Sequence, residues 1–435
     1  MRKQLLFAAA FILFFSVQAN AQWEKRWLKH KIATLSGTTM HGRGYVNKGV
    51  DKAAIYLKRR FVEYGLLPFT SDSSYFQPYT MPVNTFPGNI HLKLQRKEMV
   101  PGVDYLVHEA SSPINARKLK VRTIDLKDVR DTAAWNKMKR EFRSDRAYIL
   151  KNADTLTRHL KYTRRLMGED LPPGVFIVPK HGKLTWSVAR DTISSTIFYV
   201  EDTFMPRRIR KVSAEVETKF VTAFKANNVL GYVPGTVRPD SFILFTAHFD
   251  HLGKMGRQTV FPGAHDNASG TALMLLLANY FAKNPQRYSI GFIGFSGEEA
   301  GLVGSNYFVN NPLFPLNSIR FVVNLDMTGD ATNGITVVNA IEQKKAFTLL
   351  NDINEQKSYV PKINERDQSA NSDHYHFSQR GVPAIFIYGN GTKPFYHDVF
   401  DKVNELSLEN IDGLSKLLID FVGEMNTSAR LTYSQ

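Results

Sequence analysis

Two histidines and four acidic residues stand at points in this sequence where their side chains can act together. Each follows a short apolar run or lies in a loop before a helix, and the six are His248, Asp266, Glu298, Glu299, Asp326 and His397. The chain of 435 residues has no cysteine, so a metal must be bound by His, Asp and Glu. Imidazole and carboxylate ligands without sulfur are expected for zinc or another divalent ion. The sequence therefore predicts a divalent metal site.

The number of candidate ligands indicates how many ions the site holds. A single catalytic zinc uses three protein ligands, whereas five are available here: His248, Asp266, Glu299, Asp326 and His397. Five ligands are enough for two ions that share one bridging carboxylate. Glu298, next to the ligand Glu299, is then not needed to bind metal. We predict that it acts as general base toward a metal-bound water.

Two further carboxylates stand close to the histidines in the sequence. Asp250 follows His248 by two residues, and Asp401 follows His397 by four. We expect each to accept the second N–H of its neighbouring imidazole. Such a hydrogen bond fixes which ring nitrogen is left free to bind metal.

The elements that carry these residues are predicted to form an α/β domain. Strands and helices alternate from about residue 221 onward, which indicates a mixed, mostly parallel sheet between helices. Strands are predicted over 241–247, 288–295, 320–325, 334–339 and 384–388, and helices over 49–64, 269–282, 302–310, 406–425 and a segment from about 343. Folds of this kind place ligands at the carboxyl ends of their strands, where His248, Glu298 and Asp326 stand.

Six short motifs make the sequence similar to a known family. They are AHFDHLG, GAHDNASGTA, GFSGEEAGLVGS, NLDMTGD, SDHYHF and YHDVFD. In their order and spacing they resemble the M28 family of co-catalytic zinc aminopeptidases. The resemblance covers the carboxyl-terminal half of the chain and the helix at 49–64. It implies an eight-stranded mixed sheet of the zinc exopeptidase type and two zinc ions.

The resemblance also implies how the ligands divide between the two ions. His248 and Asp326 match the residues that bind one zinc in the family. Glu299 and His397 match those that bind the other. Asp266 matches the carboxylate that bridges the two ions.

Three more positions follow from the same resemblance. Glu298 matches the general base, with metal-bound hydroxide as the nucleophile. Tyr396, beside the last ligand, matches a tyrosine that stabilises the oxyanion of the tetrahedral intermediate. His265 is a departure, because many relatives have Asp or Asn before the bridging aspartate.

These features predict an exported dizinc aminopeptidase that acts on peptides with a free amino terminus. Three alternatives stay open: a glutaminyl cyclase-like transferase with one zinc, a carboxypeptidase or dipeptidase, and a non-catalytic binding module. The presence of both His248 and Asp326 argues against the cyclase. The presence of all six site residues argues against a catalytically dead module. Side-chain preference, native metal and oligomeric state are not predicted.

The middle of the chain differs in composition from the rest. Most of the formal charge of +16 lies in residues 91–220, where short β-like runs alternate with basic segments. We predict a catalytic domain of residues 22–92 and 219–435, interrupted by a smaller α+β domain of residues 93–218 in the place of a protease-associated domain. We expect this insert to overhang the strand-end cleft. No nucleic-acid-reading motif accompanies the charge, so no nucleic-acid partner is expected.

Residues 1–21 are predicted to be a secretory signal peptide. Arg2 and Lys3 precede an apolar run over 5–17, and an A-x-A cleavage site follows at 19–21. Export without cysteines indicates a bacterial periplasm or the extracellular space. No later run is long and apolar enough to cross a bilayer, so no integral membrane segment is expected after signal cleavage.

Overall fold

The computed structural model describes residues 22–70, 74–127, 129–161 and 171–427. The predicted signal peptide of residues 1–21 lies outside them. Within these four ranges, no helix combines the length and the apolar character needed to cross a membrane.

The described residues form two eight-stranded sheets and one two-stranded sheet, made of Gly253–Met255 and Thr259–Phe261, with helices packed around them. The strands are β1 (Phe76–Thr85), β2 (Ile90–Leu94), β3 (Lys97–Glu98), β4 (Tyr105–Val107), β5 (Ile114–Asp125), β6 (Arg146–Lys151), β7 (Val175–Lys180), β8 (Thr196–Glu201), β9 (Lys211–Val216), β10 (Lys219–Val233), β11 (Arg238–His248), β12 (Gly253–Met255), β13 (Thr259–Phe261), β14 (Tyr288–Phe295), β15 (Ile319–Leu325), β16 (Ile335–Val338), β17 (Ile363–Arg366) and β18 (Ala384–Gly389). The helices are α1 (22–35), α2 (Gly49–Tyr64), α3 (Thr132–Lys139), α4 (Asp154–Leu160), α5 (Gly270–Lys283), α6 (Val303–Asn310), α7 (Lys344–Lys357), α8 (His374–Gln379) and α9 (Ile411–Thr427).

The first sheet has eight strands in the spatial order β1-β10-β14-β11-β15-β18-β16-β17. Its four central strands, from β14 to β18, run parallel to one another. Strands β10 and β16 flank them in antiparallel orientation. The predicted mixed eight-stranded sheet is confirmed.

Helices cover both faces of this sheet. Helices α1, α2, α5, α7 and α9 bury their apolar residues in one cluster against the first face. Helices α6 and α8 pack on the other face through Phe308 and Phe377. Because both faces are covered, β11 is buried continuously from Ser241 to His248, as parallel strands between two helical layers usually are.

The predicted elements agree with the observed ones except near the end of the chain. Helix 49–64 and strand 288–295 have the predicted bounds. The last helix begins at Ile411 and not at residue 406, because Leu408 and Asn410 have positive φ angles that a helix does not accept. Outside residues 90–216, the elements that were not predicted are helices α1 and α8 and strands β1, β10, β12, β13 and β17.

The second sheet has eight strands in the order β3-β2-β9-β5-β6-β7-β8-β4. They lie between Ile90 and Val216, in the basic part of the chain, together with α3 and α4. Strand β2 therefore spans the predicted boundary between residues 92 and 93. The division of the chain into domains 22–92 with 219–435 and 93–218 stays a prediction.

Candidate active site

The predicted site residues gather at one edge of the first sheet. Strands β11, β14, β15 and β18 are parallel, so their carboxyl ends meet there. His248 is the last residue of β11, and Asp326 directly follows β15. The loop after β14 carries Glu298 and Glu299, and the loop between β18 and α9 carries His397.

Asp266 reaches the same edge from an irregular turn, Ala264–Ser269, that leads into α5. Gly263 precedes this turn with a φ of 59°, and a Cβ there would lie 2.2 Å from the backbone oxygen of Asp266. This position therefore requires glycine. The carboxylate of Asp401 holds the turn by accepting hydrogen bonds from the backbone N–H groups of His265 at 2.8 Å and Asp266 at 3.0 Å.

Asp266 lies between the two histidines. Its Oδ1 atom is 3.3 Å from Nε2 of His248, and its Oδ2 atom is 3.2 Å from Nε2 of His397. Each carboxylate oxygen thus faces a different imidazole. This is the arrangement that a bridging ligand between two ions requires.

A second carboxylate stands beside each histidine at a similar distance. Nε2 of His248 is 3.2 Å from Oδ1 of Asp326, and Nε2 of His397 is 3.0 Å from Oε2 of Glu299. Atoms that bind one tetrahedral zinc at its usual bond lengths lie about 3.3 Å apart. The paired donor atoms therefore have the spacing of ligands that bind the same ion. Their histidine and carboxylate chemistry fits zinc.

The buried carboxylates of this pocket stabilise positively charged groups. Burial would lower the pKa of His248, but Glu298 and Asp326 raise it well above its ordinary value. Burial would also lower the pKa of His397, but Glu299 and Asp266 raise it well above its ordinary value. Burial would raise the pKa of Glu299, but His397 lowers it to about 2. A pocket that favours cations to this degree suits divalent metals.

Glu298 differs from its neighbour Glu299. Its Oε2 atom is 3.9 Å from Nε2 of His248. Burial raises the pKa of its carboxyl group well above the ordinary value, and Glu299 and Asp326 add to the rise against the opposing effect of His248. A carboxyl group with a raised pKa can both accept and return a proton near neutral pH.

Tyr396 lies at the mouth of the site and is 43% exposed. Its ring stacks on the ring of His397, with the two centroids 3.8 Å apart. Burial raises the pKa of Tyr396, and the carboxylates of the pocket add to the effect. The hydroxyl therefore keeps its proton and can donate a hydrogen bond.

Asp250 has a wider role than the sequence predicted. Its carboxylate accepts a hydrogen bond from the hydroxyl of Tyr45 at 2.8 Å and from the backbone N–H groups of Glu298 and Glu299 at 3.3 and 3.4 Å. The carboxylate lies 3.8 Å from Nδ1 of His248, whereas the backbone oxygen of Asp250 is nearer, at 3.3 Å. Asp250 thus mainly holds the loop that carries the two glutamates.

The prediction that Asp401 accepts the second N–H of His397 is wrong. Nδ1 of His397 instead lies 2.9 Å from the carbonyl oxygen of Trp186. His397 has a positive φ of 54°, so the sequence spacing that would align it with Asp401 in a helix does not apply in this loop.

Arg43 is a buried cation that the sequence analysis missed. Its side chain is fully buried and donates hydrogen bonds to the carbonyl oxygens of Leu35, Phe249, Pro262, Gly263 and Asp266. Burial lowers the pKa of Arg43 to about 10, opposed by Asp266, Asp401 and nearby carboxylates. Arg43 therefore stays charged and joins the loops that carry His248 and Asp266.

Two more residues orient the carboxylate ligands. Ser372 donates a hydrogen bond to Oδ2 of Asp326 at 2.8 Å and accepts one from Asn324 at 2.8 Å. Nδ1 of His251 lies 2.7 Å from Oε1 of Glu299. In each case one carboxylate oxygen is held and the other faces a histidine. Both residues stand inside motifs of the sequence, SDHYHF and AHFDHLG, and this is the signal that could have identified them.

Comparison with known proteins agrees with this geometry. Residues 228–422 match the family model described as peptidase family M28. Residues 228–422 are therefore similar to an M28 peptidase domain. This confirms the resemblance carried by the six motifs.

Several relatives and solved structures are similar to this chain. A probable leucine aminopeptidase of Arthroderma otae is 28% identical over 50% of this chain and 62% of its own length. Aminopeptidase YwaD of Bacillus subtilis is 27% identical over 48% of this chain and 47% of its own length. This chain therefore spans less than two thirds of either curated relative.

The fold is shared over a greater length. A peptidase M28 precursor from Shewanella amazonensis superposes with a TM-score of 0.68 at 14% identity, over 95% of this chain and 97% of that one. A zinc aminopeptidase from Bacillus subtilis superposes with a TM-score of 0.64 at 18% identity, over 92% and 94% of the two chains.

Arg43 yields a test of the buried charge. We expect Arg43→Met to lower the free energy of unfolding by about 3 to 5 kcal/mol, because it leaves carbonyl groups and carboxylates without their buried partner. Arg60→Met is the matched control, since Arg60 forms a surface ion pair with Glu63 and should cost about 1 kcal/mol or less. Urea denaturation measures both. Equal losses in the two variants would contradict the role given to Arg43.

Proposed function

We propose that this protein is a zinc-dependent aminopeptidase that removes amino-terminal residues from peptides. The observation that carries the proposal is the position of Asp266 between two His–carboxylate pairs. The M28 domain and the relatives named aminopeptidases support it. The signal pattern of residues 1–21 supports the further proposal that the enzyme acts in a bacterial periplasm or outside the cell.

In this proposal two zinc ions share five protein ligands. His248 and Asp326 would hold one ion, Glu299 and His397 would hold the other, and Asp266 would be the carboxylate available to both. When bound, the ions would polarise the carbonyl of the scissile peptide bond and lower the pKa of a water molecule.

Glu298 carries the proton transfers of the proposed reaction. It takes a proton from the water that attacks the carbonyl carbon, so a new C–O bond forms as the carbonyl electrons move onto oxygen. Tyr396 donates a hydrogen bond to that oxygen as its negative charge grows. Glu298 then returns the proton to the peptide nitrogen, and the C–N bond breaks to release a free amine.

The charge of the pocket favours a substrate with a free α-amine. Four carboxylates line it, namely Asp266, Glu298, Glu299 and Asp326. A substrate carboxylate would instead need a cationic partner close to the ions. Arg366 and Arg380 are two candidates for such a cation in the carboxyl-terminal half. Arg366 contacts Tyr388 and Arg380 contacts Asn310, and neither partner belongs to the proposed site.

One observation favours carboxypeptidase or dipeptidase activity as a second candidate. A Cβ built at Gly301, in the loop after Glu299, would lie 3.8 Å from a guanidinium nitrogen of Arg190. Arg190 is exposed, and it is the kind of cation that the free carboxylate of a very short substrate would need.

A substrate series separates the two candidates. We expect a leucyl arylamide to be cleaved with a kcat/KM at least about a hundredfold higher than its N-acetylated form, because the acetyl group removes the charge that the carboxylates bind. An amino-blocked peptide with a free carboxyl end should be left intact. Comparable rates on the two arylamides, or trimming of the blocked peptide from its carboxyl end, would reject the aminopeptidase assignment.

The two adjacent glutamates allow a matched test of the site. Glu298→Gln should fold, keep its metal and lose at least about a hundredfold in kcat, because only the proton carrier is removed. Glu299→Gln should instead lower the metal content, because it removes a ligand. Kinetics on the leucyl arylamide and elemental analysis measure the two effects. Wild-type turnover by Glu298→Gln would show that its role is misassigned.

A further inference from the structure

An extended segment between β7 and β8 lies against the loop that carries His397. We call residues 183–190 the clamp segment. It belongs to the part of the chain that forms the second sheet, and it lies outside residues 228–422, which match the M28 family model. The clamp segment nevertheless contacts a residue that is proposed to bind metal.

Trp186 makes two main-chain contacts with His397. Its backbone N–H donates a hydrogen bond to the carbonyl oxygen of His397 at 2.9 Å. Its carbonyl oxygen lies 2.9 Å from Nδ1 of the His397 ring. One residue of the clamp segment thus fixes both the backbone and the ring of the histidine.

The second contact decides which ring nitrogen can bind a metal. A carbonyl oxygen only accepts hydrogen bonds, so Nδ1 of His397 must carry the proton. The lone pair for a metal is then on Nε2. That atom faces Oε2 of Glu299 at 3.0 Å and Oδ2 of Asp266 at 3.2 Å.

The side chain of Trp186 anchors the clamp segment. It is 4% exposed and stacks on Phe261 with the ring centroids 4.7 Å apart. Its ring also meets Phe86 at 5.5 Å, and its Nε1–H donates a hydrogen bond to the carbonyl oxygen of Val107 at 2.8 Å. Two rings and one carbonyl group, from three parts of the chain, therefore hold the Trp186 peptide groups in place.

Two further contacts fix the ends of the clamp segment. Nζ of Lys183 is 2.8 Å from Oδ2 of Asp398, the residue after His397. Asp398 also accepts a hydrogen bond from the backbone N–H of Phe400 at 2.8 Å. At the other end, the carbonyl oxygen of Ala189 accepts a hydrogen bond from the backbone N–H of Asn84 in β1 at 2.8 Å.

We propose that Trp186 is a positioning residue for the metal ion held by His397, so that the clamp segment completes the metal centre from outside the M28 domain. This takes the place of the role that the sequence suggested for Asp401. The proposal rests on the proposed function, because it requires metal binding at His397.

The test compares two buried tryptophans of the second-sheet region. Trp186→Ala removes the anchor of the clamp segment. Trp135→Ala is the matched control, because Trp135 is fully buried in α3 and packs on Phe142, in a separate apolar cluster. Trp186→Phe keeps an aromatic ring at the anchor and should restore binding. Lys183→Met is a milder change that breaks a partly exposed ion pair and should leave the protein folded.

The measurement is zinc titration of the metal-free full chain against a competing chelator, with circular dichroism to confirm folding. We expect wild type to bind two ions. Trp186→Ala should weaken one of them by about 10- to 100-fold, the usual effect of losing a partner of a metal-binding histidine. Lys183→Met should weaken the same ion less, and Trp135→Ala should leave both affinities within about threefold of wild type.

Two outcomes would overturn the proposal. The first is equal weakening by Trp186→Ala and Trp135→Ala, which would show a general effect of core damage. The second is unchanged affinity in both Trp186→Ala and Lys183→Met. A wild-type protein that binds fewer than two ions would reject the proposed function itself, and that result does not depend on the comparison between variants.

Discussion

Burial of negative charge is the constraint around which this protein is arranged. Seven carboxyl groups lie together behind the strand ends with little or no exposure: Asp250, Asp266, Glu298, Glu299, Asp326, Asp373 and Asp401. A buried charge costs several kcal/mol unless it is paired. Arg43, His248 and His397 supply positive charge from the protein. Burial also raises the pKa of Asp373 to about 7, so that this carboxyl group is partly neutral near pH 7. Two divalent ions would supply the rest.

The carboxylates meet this constraint in two different ways. Asp266, Glu299 and Asp326 face the histidines with one oxygen, and these three are the proposed ligands. Asp250 and Asp401 instead accept backbone N–H groups, and so they tie the glutamate loop and the Asp266 turn to the rest of the site. The same residue type thus serves as ligand in some positions and as loop support in others, according to what its oxygens meet.

The sequence was sufficient where local pattern decides structure, and insufficient where distant segments meet. Helix α2 follows from its amphipathic spacing and from Gly65, which ends it. The ligands His248 and Asp326 follow from polar residues placed at the end of a buried strand or directly after one. By contrast, Arg43 reaches Phe249 and Trp186 reaches His397 across about two hundred residues, so no local pattern marks these contacts. Strand β10 was missed because its first half is largely exposed and lacks a buried apolar run.

The central claim is that the strand-end carboxylates and histidines form one dinuclear metal centre. Anomalous diffraction at the zinc absorption edge, from crystals of the zinc-loaded protein, tests it most directly. We expect two peaks on either side of Asp266, one contacted by His248 and Asp326 and the other by Glu299 and His397. A single peak, or two peaks that Asp266 does not bridge, would contradict it.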